Sequence, residues 1–462
     1  MMPILGRLSR PILHHMDHRN PNVLPALMHG LHTPNGAFVA PQPAERVSGK
    51  RQDIWSIVND AAANSRTQPV INMGQGFFGY NPPDFVLEAA RIVFDRVDCN
   101  QYAPTKGRPR LKKAIAEVYS PFLGKQLDPE TEVTITTGAN EGMLSAFMAF
   151  VESGDEIIVF EPFFDQYISN IEMPGGKVVY VPMRAPADGD VAVSSAGDWK
   201  FDIEQLKAAI TPRTKMIVLN TPHNPIGKVL SRKELEAISA LCIAHNIIVL
   251  SDEVYDQLSY VSEPRICTLS PEIRRLTLTV GSAGKLFYAT GWRVGWLIGP
   301  EHLIKHVSSA HTRICYSSVS PLQEAVAISL EQVGKRRFFE ESREEIRAKM
   351  EKFNEIWTEL RLPFSVPEGG YFVVANLKKV QIPKGYLFPA HIAERPRDFQ
   401  LSYFLTNEIG VAAVPTSEFY SRERERTAEN WLRFGVCKTD EVLESAKNRL
   451  RRLKKYIEAV PA

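Results

Sequence analysis

No two cysteines in this chain stand close enough to suggest a metal knuckle or a redox pair. The five are Cys99, Cys242, Cys267, Cys315 and Cys437, scattered singly with neither CxxC nor CxH spacing. Neither a zinc site nor a disulfide framework is indicated, and the thiols read as reduced and mostly buried, as in a reducing intracellular compartment. No apolar run approaches the length of a membrane span, and the first residues lack the continuous apolar core of a secretory signal. An excess of one charge is missing too. The formal net charge is +2 from 55 basic and 53 acidic residues, so nothing advertises a nucleic-acid or polyanion partner.

Acids are scarce in one region. Within residues 1–50, Asp17 and Glu45 stand against Arg7, Arg10, Arg19, Arg46 and Lys50, among several prolines and histidines. Acid-poor N-termini with arginines serve mitochondrial import, and a disordered extension of no consequence has the same composition. The expected location is therefore the cytoplasm, the mitochondrial matrix or both. At 462 residues the chain has room for a large domain with a smaller one attached.

What is present is a regular alternation. Seven short apolar segments, near 133–137, 157–160, 178–182, 215–219, 247–251, 276–280 and 294–298, are rich in Val, Ile and Leu. Several are apolar at successive positions, as strands covered on both faces should be. Helical patterns such as Asn140 to Val151 and Lys233 to His245 fall between some of them, which specifies a mainly parallel, seven-stranded α/β sheet. Two further stripes at helical spacing follow: Ile346, Met350, Phe353, Trp357 and Leu360, then Leu443, Ala446, Leu450, Leu453 and Ile457. Between them lie the strand-like stretches Gly369 to Ala375 and Trp431 to Val436, giving a smaller α+β domain.

In such sheets ligands bind beyond the carboxyl ends of the strands. The residues there are Gly138-Ala139-Asn140, then Glu161-Pro-Phe-Phe164-Asp165, Asn220-Thr-Pro-His-Asn224-Pro-Ile-Gly227, Asp252-Glu-Val-Tyr255 and Ser282-Ala-Gly-Lys285. Lys285 is set among small residues, with Ser282 three positions before it and Arg293 eight after, so a hydroxyl and a guanidinium flank the amine as a phosphate-binding pair. Arg433 lies between apolar residues of a strand and requires an anion or an exposed face, because burying it alone is too costly. An imine-forming lysine, a strand-end carboxylate, a tyrosine, an asparagine, a stacking aromatic and a phosphate cup are the set that pyridoxal phosphate needs.

The motifs Asn220-x-Pro-x-Asn224-Pro-x-Gly, Ser251-Asp252-Glu-Val-Tyr255 and Ser282-Ala-Gly-Lys285 with Arg293, in that order, resemble those of the fold-type I pyridoxal-phosphate aminotransferases of classes I and II. The resemblance runs from about Asp53 to the C-terminus. Gly74-Gln-Gly-Phe, Asn100-Gln-Tyr102, Glu161-Pro-Phe-Phe-Asp-Gln-Tyr and Gly281-Ser-Ala-Gly-Lys are similar to the kynurenine–oxoglutarate aminotransferase branch, also known as glutamine transaminase K and cysteine-conjugate β-lyase.

The resemblance implies the fold and the roles. Residues 1–50 form an extension, 51–84 the first part of the small domain with the substrate loop, 85–335 the large cofactor-binding domain, and 336–462 the rest of the small domain. Lys285 holds the cofactor covalently and then shuttles the proton; Asp252 keeps the pyridine nitrogen protonated. Tyr255 and Asn224 bond the ring 3′-oxygen, and Phe164 stacks on the ring. Ser282, Arg293 and the amides of Ala139 and Asn140 bind the phosphate. Tyr102 reaches the cofactor of a neighbouring subunit, so a homodimer is part of the site. Arg433, with Asn224 and the Gly76 amide, clasps the substrate carboxylate.

The implied reaction is amino transfer from kynurenine, or a related aromatic or large neutral amino acid, to a 2-oxo acid such as 2-oxoglutarate, giving kynurenic acid from kynurenine. β-Elimination from cysteine S-conjugates and glutamine–phenylpyruvate transamination are alternatives on the same site. Against a catalytically inactive, ligand-binding relative stands the presence of Lys285, Asp252 and Arg433. Two places depart from the family pattern. Tyr288 stands where a small residue is usual and bears on packing beside the cofactor. Phe77-Phe78-Gly79-Tyr80 replaces a common Pro-Asp pair and bears on specificity.

Overall fold

The computed structural model describes residues 40–48 and 52–457. The chain divides into two units, Met1–Lys50 and Arg51–Ala462. Of the first, the described part is a single 3-10 turn at Glu45–Val47 with no buried residue, and the expectation of an import sequence falls largely outside the described residues.

The second unit is built on an eight-stranded sheet, in the order Val133–Thr136, Gly295–Ile298, Thr277–Ser282, Ile248–Asp252, Thr214–Asn220, Glu156–Glu161, Lys177–Arg184, Lys200–Phe201. All seven anticipated strands are there. Neighbours from Thr277–Ser282 across to Lys177–Arg184 pair in parallel, while Gly295–Ile298 runs antiparallel to both of its neighbours. The eighth strand, Lys200–Phe201, has two residues and pairs antiparallel at the edge, too short to leave a periodic signal.

Successive residues of the central strands belong to different cores. Ile157, Met216, Val218 and Leu250 face one apolar cluster, whereas Ile158, Ile217, Leu219 and Val249 face another. Because side chains alternate across a strand, two cores mean a sheet covered on both faces, which is why these segments read as unbroken apolar runs. Helices supply the cover. Arg232–His245 starts on a reciprocal capping box between Ser231 and Glu234 and ends at Asn246, whose φ of 52° stops it.

A second, five-stranded sheet has the order Val414–Pro415, Trp431–Gly435, Phe372–Asn376, Phe364–Val366, Ser194–Ser195, and Ile71–Asn72 pairs in parallel with Val411–Ala412. Both strand-like C-terminal stretches are therefore strands. The two apolar stripes are the helices Phe338–Leu360 and Asp440–Leu450, the latter tightening into 3-10 geometry at Arg451–Tyr456. Leu250 of the large sheet and Phe353, Trp357 and Phe434 around the second share one continuous core, which holds the loops facing both sheets at fixed separation.

Candidate active site

Strand ends converge on one cavity of about 430 Å³. Its wall includes Gly76, Ala139, Asn140, Phe164, Asn224, Asp252, Tyr255, Ser282, Lys285, Arg293 and Arg433, eleven of the twelve residues anticipated from sequence. Tyr102 is the exception: it does not line this cavity and is 86% exposed, edge-to-face against Tyr316 at 5.5 Å.

Each group is placed by local backbone. Thr277–Ser282 ends at Ser282, and a one-turn helix, Ala283–Leu286, then turns Lys285 toward the cavity. The Lys285 Nζ donates to Tyr371 Oη at 2.9 Å and to the Gly76 carbonyl at 3.4 Å. Loss of hydration lowers its pKa to about 8; Arg433 and Arg293 act in the same direction, against the Cys437 thiol and Asp252. An amine so placed gives up and recovers a proton near neutral pH.

Asp252 ends Ile248–Asp252 and is buried. It accepts a hydrogen bond from Tyr167 Oη at 2.6 Å, yet burial outweighs that bond and raises its pKa to about 6. A carboxylate held this way lacks a strong cation. Tyr255, three residues on, is buried beside the Lys285 amine, which lies 5.6 Å from its ring centroid.

Val133–Thr136 gives way to the helix Gly138–Phe150 through Gly138, whose φ is +80°. A Cβ there would lie 2.5 Å from Arg293 Nη2, so glycine is required both by backbone and by the guanidinium packed on it. The helix start thus presents Ala139 and Asn140 beside Arg293 and Ser282, an anion cup made of amide dipoles, a hydroxyl and a cation. Asn224 is fixed by its own amide donating to Asn220 Oδ1 at 2.7 Å.

Arg433 is 1% exposed within Trp431–Gly435. Its Nη1 donates to Asn224 Oδ1 and its Nη2 to the Gly74 carbonyl, both at 2.7 Å, and its Nε has no partner. The guanidinium lies 4.1 Å from the Phe372 ring centroid and 5.6 Å from that of Trp55. Burial depresses its pKa to about 10. A cation bonded to neutral oxygens, with a spare donor, is set to receive a carboxylate.

Four contributors were missed by the sequence reading. Tyr371 and Phe372 stood in a stretch read only as a strand, Tyr167 stood inside a quoted motif without a role, and Trp55 carried no signal beyond being aromatic. Phe372 packs over Gly76, where a Cβ would meet its Cζ at 2.6 Å. Tyr288 does not line the cavity. Its φ is 59°, and its buried ring packs against Phe78 at 4.3 Å and near Phe338, with its hydroxyl paired to Ser342. The unusual bulk is thus absorbed under the substrate loop, away from the cavity. In that loop, Lys438 Nζ donates to the Phe77 carbonyl at 2.6 Å and the Gly79 amide to the Cys437 carbonyl at 2.9 Å.

The donor set fits pyridoxal phosphate on three observations: a buried carboxylate short of a cation, an amine with a lowered pKa, and an anion cup whose guanidinium packs so closely on Gly138 that a single Cβ there would displace it. Fold and site together define a pyridoxal-phosphate-dependent transaminase. The chain belongs to the family described as aminotransferase class I and II, whose model matches residues 68–450. It is 50% identical over 418 residues to the protein named "Probable kynurenine--oxoglutarate transaminase BNA3" from Saccharomyces cerevisiae, covering 89% of this chain and 94% of that one. A kynurenine–oxoglutarate transaminase of Dictyostelium discoideum is 36% identical over 90% of this chain and 97% of its own. The crystal structure of Bna3p from Saccharomyces cerevisiae superposes with a TM-score of 0.88 at 49% identity, over 91% of this chain and 100% of that one. Aspartate aminotransferase from Thermus thermophilus with maleate gives a TM-score of 0.75 at 30% identity, over 90% and 100%.

Proposed function

We propose that this transaminase moves the α-amino group of kynurenine, or of a similar aromatic or large neutral amino acid, to a 2-oxo acid such as 2-oxoglutarate, and that the oxo acid from kynurenine closes to kynurenic acid. The observation that carries this reading is Arg433: an enclosed guanidinium with a spare Nε donor, set against Phe372 and near Trp55, makes a carboxylate seat walled by aromatic rings. The names of the two relatives support the same substrate.

Bound pyridoxal phosphate supplies an electron-withdrawing ring beside the substrate α-carbon. The chain supplies the rest. Ser282, Arg293 and the amides of Ala139 and Asn140 would anchor the phosphate, Phe164 would stack on the ring, and Tyr255 and Asn224 would bond its 3′-oxygen. Asp252, oriented by Tyr167, would hold a negative charge against the pyridine nitrogen and keep its proton in place. Arg433, with Asn224 and the Gly76 amide, would fix the substrate carboxylate and so orient the α-hydrogen. Lys285 Nζ, with its pKa near 8, would take that proton from the α-carbon and release it two bonds away, on the far side of the amino nitrogen. Tyr371 Oη, which bonds both Lys285 Nζ and the Gly76 carbonyl, would steer the amine between the two positions. Phe372 and Trp55 would keep water out.

A panel of amino donors with 2-oxoglutarate, pyruvate and phenylpyruvate as acceptors, with products identified, tests the substrate. Kynurenic acid formed with 2-oxoglutarate at a kcat/KM among the highest of the panel supports the reading; no turnover of kynurenine contradicts it.

The site is completed by a second copy of the chain, reached by Tyr102. In support, Tyr102 and Tyr316 are exposed together, and Ile92, Phe94 and Val97 add exposed apolar surface nearby in the chain. Mixing Lys285→Ala subunits with Tyr102→Ala subunits should restore activity above that of either alone, because one mixed site combines an intact Lys285 with an intact Tyr102. No gain on mixing, with exchange of subunits verified, contradicts a shared site.

A further inference from the structure

Outside the cavity, the described residues include a cluster of mixed metal-ligand chemistry: Glu141, His311 and Cys315, whose donor atoms all lie within 4.8 Å of one another. His311 and Cys315 are one turn apart on the helix Glu301–Cys315 and share a face. Glu141 comes from the first turn of the packed helix Gly138–Phe150. His311 Nδ1 is 2.9 Å from Glu141 Oε2 and 3.3 Å from Cys315 Sγ. The histidine is fully buried, whereas Glu141 and Cys315 are half-buried, so the cluster opens toward solvent on their side.

We propose that Glu141, His311 and Cys315 form a binding site for a thiophilic divalent cation of the zinc class. Around a tetrahedral ion, bonds of about 2.0–2.3 Å set neighbouring donors about 3.3–3.6 Å apart. The separations of His311 Nδ1 from Glu141 Oε2 and from Cys315 Sγ need open by only a few tenths of an ångström, and the Glu141 and Cys315 donors lie within 4.8 Å of each other. A thiolate beside an imidazole selects zinc over magnesium or calcium, which favour oxygen alone. Cys315 is the last residue of its helix, where the terminal carbonyls favour a cation.

The carboxylate is already oriented. Ser145 Oγ donates to Glu141 Oε1 and the Thr137 amide donates to Oε2 at 2.8 Å, the outer support that metal ligands require. Thr137 Oγ1, 3.4 Å from Cys315 Sγ, or a water would take the fourth position. Binding is coordination without oxidation. The Cys315 thiol proton leaves to solvent as the thiolate takes the ion, and His311 coordinates through Nδ1. No cysteine spacing betrays this cluster, because Glu141 is 170 positions from His311.

Cobalt titration of the holoenzyme provides the test, since a four-coordinate cobalt with a thiolate absorbs strongly in the visible whereas the hydrated ion barely does. One cobalt per chain should bind with that signature, be displaced by zinc and not by magnesium, and be removed by a chelator. Cys315→Ser should abolish the thiolate-to-cobalt band and weaken binding at least about tenfold, the loss typical even for partners one shell out. His311→Gln, which keeps the thiolate, should weaken binding to a similar degree and shift the visible bands. Metal-free transaminase activity of Cys315→Ser reports that the variant has folded. A hydrated-ion spectrum throughout, or a cobalt spectrum unchanged in both variants, would overturn the proposal and place any binding at other histidines.

Discussion

Asp252 sits where its charge is costly to keep. Its pKa is raised from 3.8 to about 6 by burial, so in cofactor-free protein the stability present at low pH is lost as pH rises between those values. At about 1.4 kcal/mol per pKa unit, the cost above pH 6 is roughly 3 kcal/mol. Asp252→Asn should therefore raise the thermal midpoint of the cofactor-free protein at neutral pH while lowering kcat far more than substrate affinity. Paired melting curves and steady-state kinetics check both halves. A variant with normal turnover would remove Asp252 from the chemistry. Lys285 shows the opposite sign. A base whose pKa falls from 10.5 to about 8 is neutral above pH 8, so the rate at which cofactor-free protein captures pyridoxal phosphate should climb with pH up to about 8 and then level off. A rate still rising tenfold per unit at pH 9 would mean an ordinary, hydrated lysine.

At the scale of single elements, the turn entering Gly138–Phe150 is the most exacting piece of backbone in the site. Gly138 combines a φ of +80° with a contact of 2.5 Å between its absent Cβ and Arg293 Nη2. Gly138→Ala strains the turn and pushes the guanidinium away from the cup. Cofactor retention on dialysis should fall markedly, while circular dichroism stays that of the parent. Unchanged retention would show that the cup is not formed at this turn. Sequence alone located this element and its neighbours well, because strands covered on both faces and capped helices leave strong local signals. It could not show Tyr371 beside Lys285, or Tyr167 beneath Asp252. Those contacts join residues 86 and 85 positions apart, and a lone tyrosine carries no mark of the partner its hydroxyl will find. The two-residue strands were illegible for a simpler reason: two positions hold no period.

At the scale of the molecule, function is divided between two sheets. The lysine and the carboxylate stand on the large parallel one, and Arg433 stands on a strand of the smaller one. A substrate bridging them draws both into one site. Arg433→Lys keeps a charge but loses the planar fork, so amino-acid and oxo-acid substrates should both weaken, by about 1–3 kcal/mol for a lost charged hydrogen bond. Amines lacking a carboxylate should be little affected, and equal losses on both kinds would make Arg433 structural. The class of enzyme was legible because its residues fall at strand ends in a fixed order. The placement of Tyr288 was not, since only the fold shows that its ring turns under the Phe77–Tyr80 loop.

Lys285 is the residue through which the cofactor would be attached, and every other role at the site depends on it. Borohydride reduction of the pyridoxal-phosphate-loaded enzyme, followed by peptide mapping, should give one reduced cofactor per chain on the peptide that carries Lys285, and none in Lys285→Ala. Label on another lysine, or undiminished labelling of the variant, would contradict it.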